Sequence, residues 1–261
     1  MNAIDPIGEP LEPDGEEFSP DTSFIPLTPE RPRPSPVSED ERLETLDVIR
    51  GVAVLGILLV NIESFSMVRE GRYSPDAGGG DGAANALIWL FTFLFADTKF
   101  IAIFTMLFGV GIAVFNERRQ RKHARGAWAV YYRRMFVLLL IGAAHGLYLW
   151  RGDILYFYAF WGLALYLAPR APAFLLTAVG LGLYAWHVQD FAAQLADLGG
   201  RFSWWEEQIY QGEWRDQYAF RRQVEEYYLM EVPFEFAPHL VGLMLLGMAM
   251  YKTGLLAGRG R

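Results

Sequence analysis

The sequence contains no cysteine, and this absence excludes several kinds of site at once. Without thiols the chain has no disulfide framework, no thiolate metal site and no cysteine nucleophile. Charged residues are also scarce, at 20% of the chain, against about 25% in an average soluble domain. Because the net charge is −7, the chain lacks the basic balance that nucleic acids require, and we expect no nucleic-acid partner.

Apolar residues make up 52% of the sequence, and their distribution divides the chain into two unlike parts. Residues 1–45 carry 12 Asp or Glu against 3 Arg, together with nine of the 14 prolines. This composition cannot build a core, and repeated proline opposes both helix and sheet. We therefore predict a disordered, acidic, proline-rich tail over 1–44. The tail lacks the basic and apolar blocks of a secretory signal.

Six apolar runs follow between residues 45 and 258. A helix that crosses a bilayer needs about 20 residues, and these runs reach that length when their polar flanks are included. Six such runs with so few charges cannot all be buried in a soluble domain of this size. We predict an all-α, polytopic transmembrane helix bundle. Its spans are expected near 46–68, 99–116, 132–150, 153–169, 171–190 and 235–256.

The stretch 86–115 contains two apolar runs that are separated only by Ala96-Asp97-Thr98-Lys99. One straight helix of this length would measure about 45 Å, which exceeds a hydrocarbon core of roughly 30 Å. We therefore expect an interfacial or half-inserted piece over 86–96 and one span that begins near residue 99.

Basic residues set the predicted orientation of the spans. The segment 116–134 carries seven Arg or Lys against one Glu, so the positive-inside rule places it in the cytoplasm. Counting spans in both directions then puts the N-terminal tail in the cytoplasm and a loop over 191–233 outside. The chain stops directly after the sixth predicted span, which suggests that it is a fragment of a longer protein.

Ionisable residues inside predicted spans are the first candidates for function. Asp47 and Arg50 are three residues apart and can pair on one helix face, and Asn61 lies three turns further along that face. Lys99 follows the break and could meet an anion. Each also has a structural alternative. Asp47 and Arg50 could form an ion pair at the end of the span, Asn61 could hydrogen-bond a neighbouring helix, and Lys99 could be an interfacial anchor.

His145 and Asp153 form the candidate catalytic pair. His145 lies near the end of an apolar run, and Asp153 follows at the predicted turn. An imidazole beside a carboxylate is suited to general base catalysis, and Tyr148, Tyr156 and Tyr158 could add donors. The alternative is a buried histidine with a backbone partner.

Glu235 and His239 lie four residues apart at the start of the last predicted span. One histidine and one carboxylate are too few for a metal site, and we predict none. Pairing with Asp153 or His145 across the bundle is one possibility, and an interfacial polar cluster is the other.

Three stretches carry a family resemblance: RLETLDVIRGVAVLGILLVNI, KFIAIFTMLFGVGIAVF and YYRRMFVLLLIGAAHGLYLWRGDILYFYAFWGL. Together they resemble the YeiB-like family of bacterial inner-membrane proteins, also called domain of unknown function 418. That group in turn resembles the transmembrane acyltransferase superfamily, which includes heparan-glucosaminide N-acetyltransferase and the sugar O-acetylases. Asp47, Arg50 and Gly51 match the first-span motif, and Asn61 matches its outer end. The catalytic histidine that follows this span in the acetyltransferases has no counterpart in residues 62–98.

The resemblance implies a protein of the bacterial inner membrane that transfers an acyl group from cytoplasmic acyl-CoA to an extracytoplasmic acceptor. His145 would be the base, Asp153 would orient it, and Arg50, Lys99 and Arg134 would meet the phosphates of acyl-CoA from inside. No bound cofactor is expected, the lipid bilayer is the surrounding partner, and a homo-oligomer is possible. A small-molecule transporter and a non-catalytic membrane scaffold are the alternative hypotheses.

Overall fold

The structure is a computed structural model that describes residues 44–66, 82–122, 126–150, 152–197, 211–223 and 225–256. These residues are all-helical and contain no strand, which confirms the predicted fold class. Backbone contacts divide the chain into units 1–31 and 32–261. The predicted tail lies outside the described residues except for Glu44, which begins the first helix.

Ten α-helices and one 3-10 helix form the described part of the chain. They are α1 (Glu44–Ser66), α2 (Ala83–Phe95), α3 (Lys99–Lys122), α4 (Ala127–Tyr148), α5 (Leu155–Ala164), the 3-10 helix Leu165–Arg170, α6 (Ala173–Asp197), α7 (Trp214–Gln223), α8 (Glu225–Met230), α9 (Val232–Glu235) and α10 (Ala237–Lys252). Within its described residues, the predicted loop 191–233 therefore contains the end of α6, all of α7 and α8 and the first residues of α9.

Three stretches of helix are long and apolar enough to cross a membrane within the described ranges: Thr45–Ile62, Ala83–Gln120 and Ala127–Tyr148. The second joins α2 and α3 across their turn, and Ala173–Gln189 is a shorter apolar helix. Near 153–169 the α-helix ends at Ala164 and continues as a 3-10 helix. The structure thus supports a membrane protein, with three clear spans where the sequence predicted six.

The break between α2 and α3 lies at residues 96–98, inside the predicted four-residue interruption. Thr98 has φ of 62°, which is unusual for a β-branched residue. The Asp97 side chain is buried, whereas no residue of α2 is buried. The large apolar side chains of α2 are thus free to face lipid.

Helix α10 occupies the centre of the bundle because it packs against both α3 and α6. Small residues allow these close approaches. A Cβ atom added to Gly109 would overlap the Met244 backbone, and one added to Gly247 would overlap the Met106 backbone. The α6 crossing is similar, since a Cβ on Gly180 would lie 2.9 Å from the Gly242 carbonyl oxygen. Glycine at a helix interface lets backbones come together in lipid.

The other main contacts join α4 to α5 and α1 to α3. Large apolar side chains on α1, α2 and α4 remain exposed, among them Leu55, Leu59, Phe91, Phe95 and Ile141. An exposed apolar surface of this extent is unfavourable in water but suits the hydrocarbon of a bilayer.

Candidate functional site

His145 and Asp153 meet where α4 ends and α5 begins. His145 lies in the last turn of α4, and Asp153 lies in the connection that precedes α5. The His145 Nδ1 atom is 3.0 Å from the Asp153 Oδ1 atom. The structure thus brings the predicted catalytic pair together, while its catalytic role stays a prediction.

Glycines on α4 make this meeting possible. A Cβ atom on Gly142 would overlap the Tyr156 backbone at the start of α5. A Cβ atom on Gly146 would lie 2.7 Å from the Tyr228 hydroxyl oxygen. These two glycines, one turn apart, therefore let α5 and α8 approach the helix that carries His145.

Asp153 is held rigidly because both oxygens of its side chain accept hydrogen bonds. Oδ2 accepts the Tyr156 backbone N–H at 2.9 Å, and Oδ1 faces His145. The residue is 3% exposed. Burial raises the pKa of the Asp153 carboxyl, while the hydrogen bonds from the backbone and the nearby His145 lower it. An anchored carboxylate fixes both the tautomer and the orientation of an imidazole.

His145 is more open than its partner, with 36% of its side chain exposed against 2% for Asp153. Because Nδ1 contacts Asp153, Nε2 is the nitrogen left for an external group. A histidine that is oriented in this way can accept a proton from a substrate bound at Nε2. The geometry is therefore that of a general base with an orienting carboxylate.

The three tyrosines predicted to assist His145 are engaged elsewhere. Tyr156 donates to the Leu229 carbonyl oxygen at 3.0 Å, and the Tyr158 hydroxyl bonds Thr105. Tyr148 stacks on Tyr218 with ring centroids 5.8 Å apart. The Tyr156 and Tyr158 hydroxyls are therefore engaged with other groups, and the suggested role of the three tyrosines as donors stays a prediction.

Other residues surround the pair, and the sequence did not point to them. Tyr228 of α8 is buried and donates to the Asp153 backbone carbonyl at 3.2 Å. Trp150 lies 6.5 Å from the His145 ring, and Phe65 at the end of α1 packs 4.7 Å from Trp150. Trp150 is only five residues from His145, but Tyr228 and Phe65 come from distant parts of the chain, so no local pattern signals their contacts.

Asp47 and Arg50 pair on α1 as predicted, with Nη1 to Oδ1 at 3.2 Å. Arg50 also donates from Nη2 to the Leu107 carbonyl oxygen of α3 at 3.3 Å. Both side chains stay partly exposed, at 38% for Arg50 and 56% for Asp47. Asn61 is half-buried further along α1. It lies about 16 Å from Arg50 along the helix axis.

The structure does not bring the three predicted phosphate-binding cations together. Lys99 starts α3, where its Nζ donates to the Phe93 carbonyl oxygen at 2.9 Å. Phe104 packs on Tyr158 near the start of α5, so Lys99 lies at the same end of the bundle as His145.

Arg134 is exposed on α4 and lies far from Lys99. The neighbouring Tyr131 packs on Phe115 of α3 with ring centroids 5.4 Å apart. Phe115 is about 24 Å along α3 from Lys99. Arg50 lies beside the middle of α3, and Arg134 lies between that level and the level of Phe115, while Lys99 does not join them. Lys99 therefore does not lie beside the other two cations, and the phosphate-binding role of all three stays a prediction.

Glu235 and His239 also have other partners than those suggested by the sequence. Both Glu235 carboxylate oxygens lie 2.8 Å from the Tyr227 hydroxyl, which donates to them. His239 packs against His187 of α6 with ring centroids 4.5 Å apart. Neither residue joins the His145–Asp153 pair.

Comparisons with known proteins identify relatives but no activity. The chain is 30% identical to the uncharacterized protein YeiB of Escherichia coli K12 over 231 residues, which cover 84% of this chain and 58% of YeiB. It is 37% identical to the uncharacterized protein YxaH of Bacillus subtilis 168 over 156 residues, covering 57% of this chain and 38% of YxaH. An uncharacterized 39.9 kDa protein in amylase 3'region of Bacillus acidopullulyticus is 38% identical over 128 residues, covering 49% of this chain and 34% of that protein.

The chain thus spans between about a third and three fifths of the length of these relatives. No family model matches the sequence. No solved structure matches it either. The relatives support the YeiB-like resemblance.

Proposed function

We propose that this chain is a YeiB-like, multi-pass protein of the bacterial inner membrane that transfers an acyl group from cytoplasmic acyl-CoA to an extracytoplasmic acceptor. The observation that carries the proposal is the 3.0 Å contact between His145 and Asp153 at the start of α5. In this assignment His145 is the general base and Asp153 holds its ring.

The arginine-rich end of α3 supports the orientation. Because basic residues remain on the cytoplasmic side of inner-membrane proteins, the end of α3 at Lys122 faces the cytoplasm. The start of α5, with His145 and Asp153 beside it, then faces outward. The N-terminus is cytoplasmic in this arrangement. The apolar part of α6 (Ala173–Gln189), the shorter α10 and the unit of α5 with its 3-10 helix complete the six spans with polar flanks.

The chemistry requires a base at the acceptor. The hydroxyl or amine of the acceptor attacks the thioester carbonyl carbon while His145 Nε2 takes its proton. The carbon–sulfur bond then breaks, and CoA leaves as a thiolate that recovers the proton from the imidazolium. Asp153 stabilises that imidazolium by accepting from Nδ1. A general base of this kind contributes about 10²- to 10⁴-fold in rate.

Arg50 and Arg134 are the residues proposed to meet the CoA phosphates. Arg50 lies beside the middle of α3 and Arg134 further toward its cytoplasmic end, and Asp47 pairs with Arg50. Guanidinium groups bind phosphates through charge-assisted hydrogen bonds. Lys99 is left out of this contact because it lies at the opposite end of α3.

The first experiment is a calorimetric titration of acetyl-CoA into the detergent-solubilised full chain. Saturable binding is expected, and Arg50→Ala should weaken it about tenfold, since one charge-assisted hydrogen bond contributes about 1.5 kcal/mol. The exposed Arg222→Ala on α7 is the matched control and should bind normally. Absence of binding to the unsubstituted chain would overturn the proposal, and uptake of solutes by proteoliposomes would then favour transport.

The second experiment measures transfer of labelled acetyl groups in membrane vesicles. His145→Ala should lower the rate about 10²- to 10⁴-fold while acetyl-CoA affinity stays constant. Asp153→Asn should also lower the rate, whereas Asp216→Asn, an exposed acid on α7, should not. If His145→Ala transferred acetyl groups at the full rate, His145 would not be the general base.

A further inference from the structure

Tyr228 of α8 holds the backbone of the connection between α4 and α5. Its hydroxyl donates to the Asp153 backbone carbonyl oxygen at 3.2 Å. Tyr228 is 6% exposed, so water cannot readily replace this donor. The Asp153 side chain is the group that contacts His145. The Tyr228 hydroxyl is therefore bonded to the same residue that orients the imidazole.

The ring of Tyr228 has a fixed place between neighbouring helices. It packs on Phe157 of α5 with ring centroids 5.4 Å apart, and it belongs to a buried cluster with Leu240 and Met244 of α10. On α4, a Cβ atom at Gly146 would lie 2.7 Å from its hydroxyl oxygen. Because Gly146 directly follows His145, Tyr228 fits against the turn of α4 that carries the imidazole.

Arg221 of α7 secures the other side of the connection. It is 7% exposed, and its Nε atom donates to the Leu147 carbonyl oxygen at 2.9 Å. Its Nη2 atom donates to the Tyr148 carbonyl oxygen at 3.4 Å. These carbonyls belong to the last turn of α4, where a helix leaves such groups without partners of its own. Buried donors from α7 and α8 thus bond the backbone before and after the turn between α4 and α5.

The contact between His145 and Asp153 depends on both attachments. His145 moves with α4 and Asp153 moves with the connection, so their 3.0 Å separation requires that the two keep their relative positions. The Asp153 side chain also accepts from the Tyr156 backbone N–H at 2.9 Å, so it turns together with the backbone around it. Release of the Asp153 carbonyl would therefore move the carboxylate relative to the imidazole.

We propose that Tyr228 is a positioning residue, which keeps the Asp153 carboxylate against the His145 Nδ1 atom by holding the Asp153 carbonyl oxygen. Its effect on a reaction rate rests on the proposed function, whereas its effect on the geometry of the pair does not. If Tyr228 only anchored α8, its hydroxyl would stabilise the fold without affecting the imidazole. The two roles differ in what happens to the Nδ1 proton of His145.

The test follows this Nδ1 proton by NMR in the full chain, labelled with ¹⁵N-histidine and held in detergent. The sequence has four histidines, so a His145→Gln variant identifies the signal. Tyr228→Phe removes only the hydroxyl. It should speed exchange of the proton with water about two- to tenfold, which is the factor that one neutral hydrogen bond supplies.

Tyr227→Phe is the matched control. Tyr227 is the exposed neighbour of Tyr228, and its hydroxyl donates to Glu235. This variant should leave the exchange of the His145 proton unchanged.

A second variant keeps the proposal testable if Tyr228→Phe does not fold. Gly146→Ala tests the same contact from α4, because its methyl group would displace the Tyr228 hydroxyl. It should speed exchange of the His145 proton in the same range. Gly182→Ala should not, since nothing lies within 4 Å of a Cβ atom at that position.

The kinetics of acetyl transfer give a separate measurement. Tyr228→Phe should lower kcat about two- to tenfold and leave KM for acetyl-CoA unchanged, because the arginines proposed to bind its phosphates are not altered. If the unsubstituted chain transfers no acetyl group, the proposed function fails, and faster proton exchange in Tyr228→Phe still supports the positioning role.

Three results would overturn the inference. The first is unchanged proton exchange in a folded Tyr228→Phe chain, even if its unfolding midpoint is lower. The second is equal acceleration in Tyr227→Phe. The third, in an active chain, is a raised KM for acetyl-CoA with an unchanged kcat.

Discussion

At the contact between α3 and α10, the closeness of the two backbones decides whether a Gly→Ala substitution stabilises or destabilises the protein. A methyl group on Gly109 would lie 2.8 Å from both the carbonyl carbon and the Cα atom of Met244. Its distance to the Met244 carbonyl oxygen would be shorter still. Because ordinary contact begins at 3.4 Å, the helices must separate by at least 0.6 Å, from 3.4 − 2.8. The same holds at Gly247, where the methyl group would lie 2.7 Å from the Met106 carbonyl carbon.

Two opposing effects set the magnitude of the Gly109→Ala change. Replacing glycine by alanine in a helix normally stabilises it by about 0.5–1 kcal/mol. Overpacking a close contact costs about 1–3 kcal/mol, and the overlapping atoms here belong to the backbone, which cannot rotate away. The net change is the difference between the two, so we expect Gly109→Ala and Gly247→Ala each to lower the free energy of unfolding by up to about 2.5 kcal/mol, which is about 1–3 kcal/mol below a Gly→Ala change at an uncrowded site.

Gly182→Ala on α6 is the matched control, because nothing lies within 4 Å of a Cβ atom at that position. It should stabilise the chain by about 0.5–1 kcal/mol. The assay is equilibrium unfolding of each variant in the same detergent, followed by circular dichroism. If Gly109→Ala and Gly247→Ala were as stable as Gly182→Ala, the close approach of α3 and α10 would be refuted.

Two further predictions concern buried polar groups. Arg221 donates from Nε to the Leu147 carbonyl oxygen at the end of α4, so Arg221→Ala should destabilise the fold by about 1.5–3 kcal/mol. Arg222→Ala, at the exposed neighbouring position, is the control and should not. Equal unfolding midpoints for the two variants would contradict this prediction. Thr105→Val leaves the buried Tyr158 hydroxyl without its partner and should cost about 1–3 kcal/mol. Tyr158→Phe should lower the free energy of unfolding by less, because Thr105 keeps its hydrogen bond to the Ile101 carbonyl oxygen. If the destabilisations of the two single variants simply added in the double variant, the coupling between Thr105 and Tyr158 would be refuted.

The helical class was predictable because apolar runs bounded by charged residues fix where helices form. Helix α1 covers Glu44–Ser66, where the sequence predicted 46–68, and α4 covers Ala127–Tyr148, where it predicted 132–150. Helices α7 to α9 were not predicted. Their sequences are short, polar and aromatic, so neither hydrophobic periodicity nor length marks them.

In the candidate site, too, contacts between residues close in sequence were predictable, whereas contacts between distant residues were not. His145 and Asp153 are eight residues apart across one helix connection, so sequence reasoning could place them together. The structure places Lys99 and Arg134 at different depths, which the sequence did not reveal because depth depends on how α3 and α4 pack side by side. His187 and His239 are 52 residues apart and meet only through the packing of α6 on α10. No sequence pattern encodes that crossing.

The central place of α10 also has a consequence for how the bundle assembles during synthesis. Met106 and Gly247 touch in the folded chain although 141 positions separate them. At roughly 5–20 residues per second, a ribosome needs about 7 to 28 seconds to cover that distance. For all of this interval α3 has no α10 to cover its Gly109 face, and α6 (Ala173–Asp197) is itself made about midway through it. In a bilayer, lipid chains can cover these glycine-containing faces until α10 is made and displaces them.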